Sequence, residues 1–138
     1  MSNEYDKPIP EVTDLNRPHW EAARRHEFVI QKCRDCGHMW FPPMTICSTC
    51  LSTDIDWVQP KGTGKVHSFI VYHQAWLPGW LKVTPYNVAI IELDEGPRFI
   101  NNIVGIENDE IVVDMPVEVT FEDVSDEIVI PKFKPVGR

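Results

Sequence analysis

Four cysteines are the residues of this chain whose type and spacing dictate a definite chemistry: Cys33-Arg-Asp-Cys36, ten intervening residues that begin Gly37-His38, then Cys47-Ser-Thr-Cys50. Two C-x-x-C knuckles bring four thiolates to one point, and a tetrahedral set of sulfur donors is what zinc takes in structural sites. Gly37, just past the first pair, supplies the positive φ often needed as a chain leaves a knuckle. A closed four-thiolate site leaves no coordination position for water or substrate, so the expected metal is one structural Zn(2+) per chain. A rubredoxin-like iron centre shares this ligand set and stays open as a redox alternative. The short spacing weighs against it, as does Leu51 where a glycine would shape the second knuckle. His38 reads as a neighbour of the site, since four thiolates already complete it.

With Cys33, Cys36, Cys47 and Cys50 given to metal, no thiol remains as a nucleophile, and no catalytic residue is expected. The sequence lacks the G-x-S-x-G, H-E-x-x-H, G-x-x-x-x-G-K-[ST] and G-x-G-x-x-G patterns of common hydrolases, zincins, P-loops and dinucleotide binders. Gly62-Thr-Gly64 is followed by a β-branched, aromatic stretch and not by a helix whose N-terminus could hold phosphate, so it reads as a strand entry or bulge. By strict alternation His67 and His73 share one strand face. Strand histidines ordinarily pack or hydrogen-bond, so they are not assigned as an acid/base pair.

The elements that must position these residues follow from periodicity and turn signals. Met1 to Thr13, with Pro8 and Pro10, reads as an extended arm. Asp14 or Asn16 caps a helix running from Pro18 to His26, with Trp20, Ala23 and Glu27 on one face. Phe28 to Lys32 is a short strand entering the first knuckle, and Trp40-Phe41 follows it before the Pro42-Pro43 turn, the layout of a zinc ribbon. Strands at 64–72, 86–93, 98–104, 117–123 and 128–133, with Glu95-Gly96-Pro97 as a tight turn, fit a five-stranded barrel of the oligonucleotide/oligosaccharide-binding (OB) type. The expected fold is mainly β: N-terminal arm and helix over 1–27, rubredoxin-like zinc ribbon over 28–60, OB-fold barrel over 61–138.

Charge narrows the partners. Of a net −8, the stretch Glu92 to Glu127 carries −11, twelve acids against Arg98 alone, and leaves the remainder at +3. Phosphate neutralisation dominates nucleic-acid binding, so an OB-type nucleic-acid module, which the fold permits, is opposed by this field. No stretch reaches the roughly 18 apolar residues of a membrane span, and the first ten residues lack the apolar core of a signal peptide; a cytoplasmic protein is expected. The segment Gln74 to Pro85 places Trp76, Leu77, Trp80 and Leu81 in a Pro/Gly-broken loop with Lys82 almost its only cation. Such a loop suits a protein surface or an acyl chain, or folds back as satellite core. Candidate partner contacts are Trp20, Arg24, Arg25, Arg34, Trp40 and Phe41 on the helix and ribbon, then Trp76 and Trp80, because aromatic and arginine side chains anchor interfaces. Trp20 reads equally as a packing anchor.

From about Arg17 to Pro135 the chain resembles the acyl-CoA-associated zinc-ribbon/OB-fold proteins, domain-of-unknown-function family thirty-five. The resemblance rests on Trp20-Glu-Ala-Ala-Arg-Arg, Cys33-x-x-Cys36-Gly, Phe41-Pro-Pro, Cys47-x-x-Cys50, Gly62-x-Gly64-x-Val66-x-Ser68, Pro85-Tyr-x-x-Ala89, Glu95-Gly-x-Arg98 and Pro131-x-Phe133-x-Pro135 in that order. It implies a small, non-catalytic subunit that assembles with a thiolase-fold enzyme (thiolase, acyltransferase or lipid-transfer-type retro-aldolase) or with an acyl-CoA hydratase, in lipid, steroid or polyketide metabolism. Met44 departs from the arginine that many relatives carry after the Pro-Pro pair, and it offers no charge for an anion. With no hydratase domain in these 138 residues, the resemblance leads to the expectation of a thiolase-like partner.

Overall fold

A computed structural model of the chain describes residues 7–137. Residues 1–6 of the expected arm lie outside the described residues.

Helix α1 (Arg17–Arg24) starts with Pro18 in its first turn. Asn16 occupies the cap position, but its side chain turns back to accept the Thr13 N–H at 2.7 Å, and only its carbonyl serves the helix. His26 ends it in the left-handed region at φ 60. Its ring stacks on Phe121 at 5.0 Å, and its Nε2 meets Asp123 Oδ1 at 2.9 Å, contacts that hold a conformation glycine would adopt freely. The buried face is His19, Ala22 and Ala23, while Trp20 is half-buried; the face expected from Trp20, Ala23 and Glu27 is thus rotated toward His19.

The ribbon is a three-stranded antiparallel sheet in the order β2-β1-β3, built from β1 (Ile30–Cys33), β2 (Met39–Trp40) and β3 (Ile55–Val58). The last of these is a strand for which the sequence reading assigns no element. The barrel follows as β4 (Thr63–Tyr72), β5 (Tyr86–Leu93), β6 (Arg98–Asn101), β7 (Pro116–Asp123) and β8 (Val129–Pro135), ordered β6-β5-β4-β7-β8 and antiparallel throughout. An isolated parallel bridge between Ile103 and Phe133, with the Val104 N–H donating to the Phe133 carbonyl at 2.8 Å, joins the two ends and closes the seam. This is the five-stranded OB arrangement. The third barrel strand is shorter than expected, ending at Asn101, because the chain leaves the sheet to make that bridge.

β4 does not alternate cleanly. A bulge between Val66 and Ser68 shifts the register, so Val66, Phe69 and Val71 pair with Ile91, Ala89 and Asn87 on the inner side. His67 is the extra residue, near Glu92 on the outside, and His73 lies beyond the strand end; the shared face expected for these two does not exist. Gly64 is required by close approach: a Cβ there would sit 2.4 Å from the Glu92 carbonyl oxygen. Segment 74–85 is not all loop, for Pro78–Leu81 forms the single helical turn α2, which sets Trp80 on Tyr86 at 4.6 Å.

One aromatic cluster welds the parts. Phe28 and Ile30, from the entry to the ribbon, join Val66, Ile91, Leu93, Phe99, Val117 and Phe133 in the barrel core. His19 of α1 lies 4.8 Å from Phe41 and 6.2 Å from Phe28, and its Nδ1 is 2.9 Å from the Val29 carbonyl. Fully burying side chains of this size contributes roughly 1.5–3 kcal/mol each, which makes this cluster the main source of stability.

Candidate metal centre

The two knuckles repeat each other bond for bond. In the first, the Gly37 N–H donates to the Cys33 carbonyl and the Cys33 N–H to His38, each within 2.9 Å. In the second, the Leu51 N–H donates to the Cys47 carbonyl and the Cys47 N–H to Ser52, both at 2.9 Å. Gly37 at φ 81 and Leu51 at φ 65 hold the same left-handed position. An exposed leucine therefore performs the glycine's turn, at a cost of about 1 kcal/mol.

All four sulfurs lie within 4.8 Å of one another, with Cys33–Cys50 at 3.5 Å and Cys36–Cys47 at 3.6 Å. A tetrahedron with Zn–S bonds of about 2.3 Å has edges of about 3.8 Å, so the donor set fits zinc in number, chemistry and spacing. Cys33 and Cys47 are buried; Cys36 and Cys50 face solvent.

Backbone N–H groups aimed at sulfur set the thiol affinities. Those of Cys36 and Asp35 hold Cys33 below the ordinary thiol value. Burial pushes Cys47 up, but the N–H groups of Cys50 and Thr49 and the neighbouring thiols bring it down to about 7. On the other side, the Ser52 N–H favours the Cys50 thiolate, yet Cys33, burial and the remaining sulfurs push it up to about 12. Cys36 is raised too: the His38 N–H pulls it down, while burial and Cys47 outweigh that pull. Four negative sulfurs at these distances repel, so without a cation only part of the set ionises; a bound dication removes the conflict.

Gln31, which the sequence did not single out, braces the site from below. Its buried Oε1 accepts from Trp40 Nε1 and from the Met44 N–H, both at 2.7 Å. Trp40 thus packs beside Cys33 and Cys47 with Ile55, and only 8% of its surface is exposed. His38 stacks on it at 5.4 Å.

The candidate partner residues are scattered. Arg24 at the end of α1 and Arg25 just past it are exposed, Arg25 reaching Glu27 at 3.2 Å, and Trp20 is half-buried with its ring edge-on to His19 at 4.8 Å. Arg34 is exposed beside Asp54 and Asp56 at 3.2 and 3.4 Å. Phe41 turns inward onto Phe99 at 4.4 Å, so Trp40 and Phe41 offer little surface. Trp76, by contrast, is 87% exposed next to Leu77 and Leu81, and Trp80 is half-buried. No helix among the described residues is long and apolar enough to cross a membrane.

Comparison with known proteins agrees with this architecture. Residues 20–56 match the family model described as ChsH2, rubredoxin-like zinc ribbon domain, and residues 57–122 match ChsH2, C-terminal OB-fold domain. A DUF35 domain-containing scaffold protein of Methanocaldococcus jannaschii is 36% identical over 119 residues, 81% of this chain and 84% of that one. A probable enoyl-CoA hydratase alpha subunit of Thermomonospora curvata is 39% identical over 129 residues, 94% of this chain; this chain spans only 40% of that protein's length. Among solved structures, a chain described as Ltp2-ChsH2(DUF35) aldolase superposes with a TM-score of 0.81 at 39% identity, covering 91% of this chain and 98% of that chain.

Proposed function

This chain belongs to the DUF35 family of zinc-ribbon and OB-fold proteins, and from that premise we propose that it is a non-catalytic accessory subunit of an acyl-CoA-processing complex whose chemistry resides in a thiolase-fold partner. The observation that carries the reading is that all four thiols, the only ones in the chain, are gathered into one cluster sized for a metal, so no cysteine is left to attack a thioester. Cys33, Cys36, Cys47 and Cys50 hold one zinc, which orders the ribbon and takes no part in bond making.

The divisions 1–27, 28–60 and 61–138 serve this role as helix, metal staple and barrel. Exposure supports an interface at 74–85, where Trp76, Leu77 and Leu81 are all exposed, with Trp20, Arg24 and Arg25 at α1 and its C-terminal end as a second candidate patch. Four thiols gathered for a metal and not paired as disulfides support a reducing, cytoplasmic setting. A second reading, subunit of an acyl-CoA hydratase complex, is favoured by the name of the Thermomonospora curvata relative. The −11 carried by Glu92 to Glu127 weighs against a nucleic-acid partner.

Affinity capture of the tagged chain from its own host, followed by mass spectrometry, tests the reading. A thiolase-fold enzyme is expected in stoichiometric amount, and Trp76→Ala is expected to weaken its capture while leaving the fold intact. A hydratase in its place would establish the second reading, and turnover of acyl-CoA by the isolated chain would end both.

A further inference from the structure

Beside the barrel seam lies a cleft of about 490 Å³, lined by α2, the start of β5, the segment after β6, and strands β7 and β8. That volume is in the range of small-molecule sites, roughly 300–1,000 Å³. Trp80, Tyr86, Phe121 and Ile103 give it apolar walls. Its polar groups are of two kinds. The asparagines are spent inside the protein: the Asn87 amide donates to the Ile103 carbonyl at 2.9 Å and to Asn108 Oδ1 at 3.0 Å, and the Asn102 amide donates to the Asn87 carbonyl.

Lys132 is different. It alternates with the core residue Phe133 along β8 and so points away from the core, yet it is only 8% exposed. A lysine ammonium has three donors, and among the described residues this one has a single acceptor, Asn102 Oδ1 at 2.6 Å. Burial holds the ammonium below the ordinary lysine value; the Glu122 carboxylate opposes that shift and the charge on Lys7 adds to it. Lys7 and Lys132 both approach the Trp80 ring, at 4.7 and 5.8 Å from its centre. Lys132 thus sets a nearly buried positive charge in the cleft wall, with Glu122 as the acid in the lining, within the strongly acidic half of the chain.

We infer that this cleft is a binding site for an apolar monocarboxylate, its head on Lys132 and its body along Trp80, Tyr86 and Phe121. One ammonium with donors to spare calls for one anionic group, and a charge-assisted bond in a mostly desolvated setting is among the stronger polar contacts. The acidic surroundings disfavour a polyanion, and the aromatic walls favour a hydrocarbon body. The site needs no partner enzyme, so it stands independently of the accessory-subunit reading.

The test uses the full, zinc-loaded chain and three probes of equal length: octanoate, octanamide and 1-octanol. Calorimetry is expected to find one octanoate per chain, bound at least about tenfold tighter than octanamide or octanol, with amide chemical-shift changes centred on Asn102 and Lys132. Lys132→Met should abolish the preference for the carboxylate, while Lys134→Met, its neighbour on the same strand face, should keep it. The preference of the wild-type chain is itself a readout that needs no variant and that a purely structural lysine would not produce. Equal affinity for octanoate and octanamide, absence of octanoate binding at millimolar concentration, or an undiminished preference in a folded Lys132→Met protein would each overturn the proposal.

Discussion

Within the ribbon, the buried apolar cluster around the cysteines is Cys33, Trp40 and Cys47, whereas the barrel core gathers eleven such residues, two of them, Phe28 and Ile30, lent by the segment entering the ribbon. Ordering a residue costs roughly 1–2 kcal/mol of backbone entropy, and three side chains cannot offset that over a module reaching from Cys33 to Ser52. The barrel can meet the cost by burial alone. One chain therefore holds two stability regimes, metal-dependent and hydrophobic, and the aromatic contacts of His19, Phe28, Phe41 and Phe99 are the junction between them.

The comparison breaks most visibly at the metal. Complete chelation, or Cys47→Ser, is expected to remove on the order of 10 kcal/mol of metal-binding free energy from the ribbon. Amide signals from Cys33 to Ser52 should collapse while those of β4, β5, β7 and β8 stay dispersed. A ribbon that keeps its full NMR order without metal would abolish the distinction.

A smaller effect sharpens it from the other side. Phe133 is fully buried, with Phe28 at 5.9 Å and Phe99 at 6.0 Å, so Phe133→Ala should cost about 3–5 kcal/mol of global stability. In cobalt-substituted protein the thiolate-to-metal absorption band should survive this change below the unfolding transition. Loss of the band in the still-folded variant would mean that the ribbon leans on the barrel more than its own core implies.

The mildest effect reads the junction. Burial lowers the His19 affinity for protons, against the Val29 carbonyl that favours the charged ring. The unfolded chain takes up this proton near pH 6.5 and the folded chain only at lower pH, so stability is retained above about pH 6.5 and falls as pH drops below it. The slope is at most about 1.4 kcal/mol per pH unit. Denaturant titrations between pH 7.5 and 5.5 should show that slope in the wild type and a flatter one in His19→Gln at equal zinc content. Identical slopes would show that the histidine is no more shielded folded than unfolded.

The metal cluster was legible because C-x-x-C spacing is local, and the barrel strands because alternation and turn residues are local too. What escaped depends on long-range context. Ile55-Asp56-Trp57-Val58 carries an acid and reads as connection until β1 supplies its pairing partner. Strict alternation hid the bulge at His67, and Pro78-Gly79 concealed a helical turn. The inward turn of His19, the bracing by Gln31 and the burial of Trp40 have no sequence signature, since each is decided by what packs against it. The cleft around Lys132 is assembled from segments far apart in the chain, and neither its lysine nor its asparagines form a motif.

The bridge between Ile103 and Phe133 has a further consequence, for self-association. An open sheet ordered as this one is would present β6 and β8 as two unpaired edges, each a template for a strand from another molecule. Joining them through the segment just after β6 turns those edges toward each other. The outer strands of the ribbon sheet, β2 and β3, are two and four residues long, and β3 carries Asp56. A chain this rich in β-structure thus leaves little backbone free to add strands from its copies, and its encounters with other proteins fall to side chains.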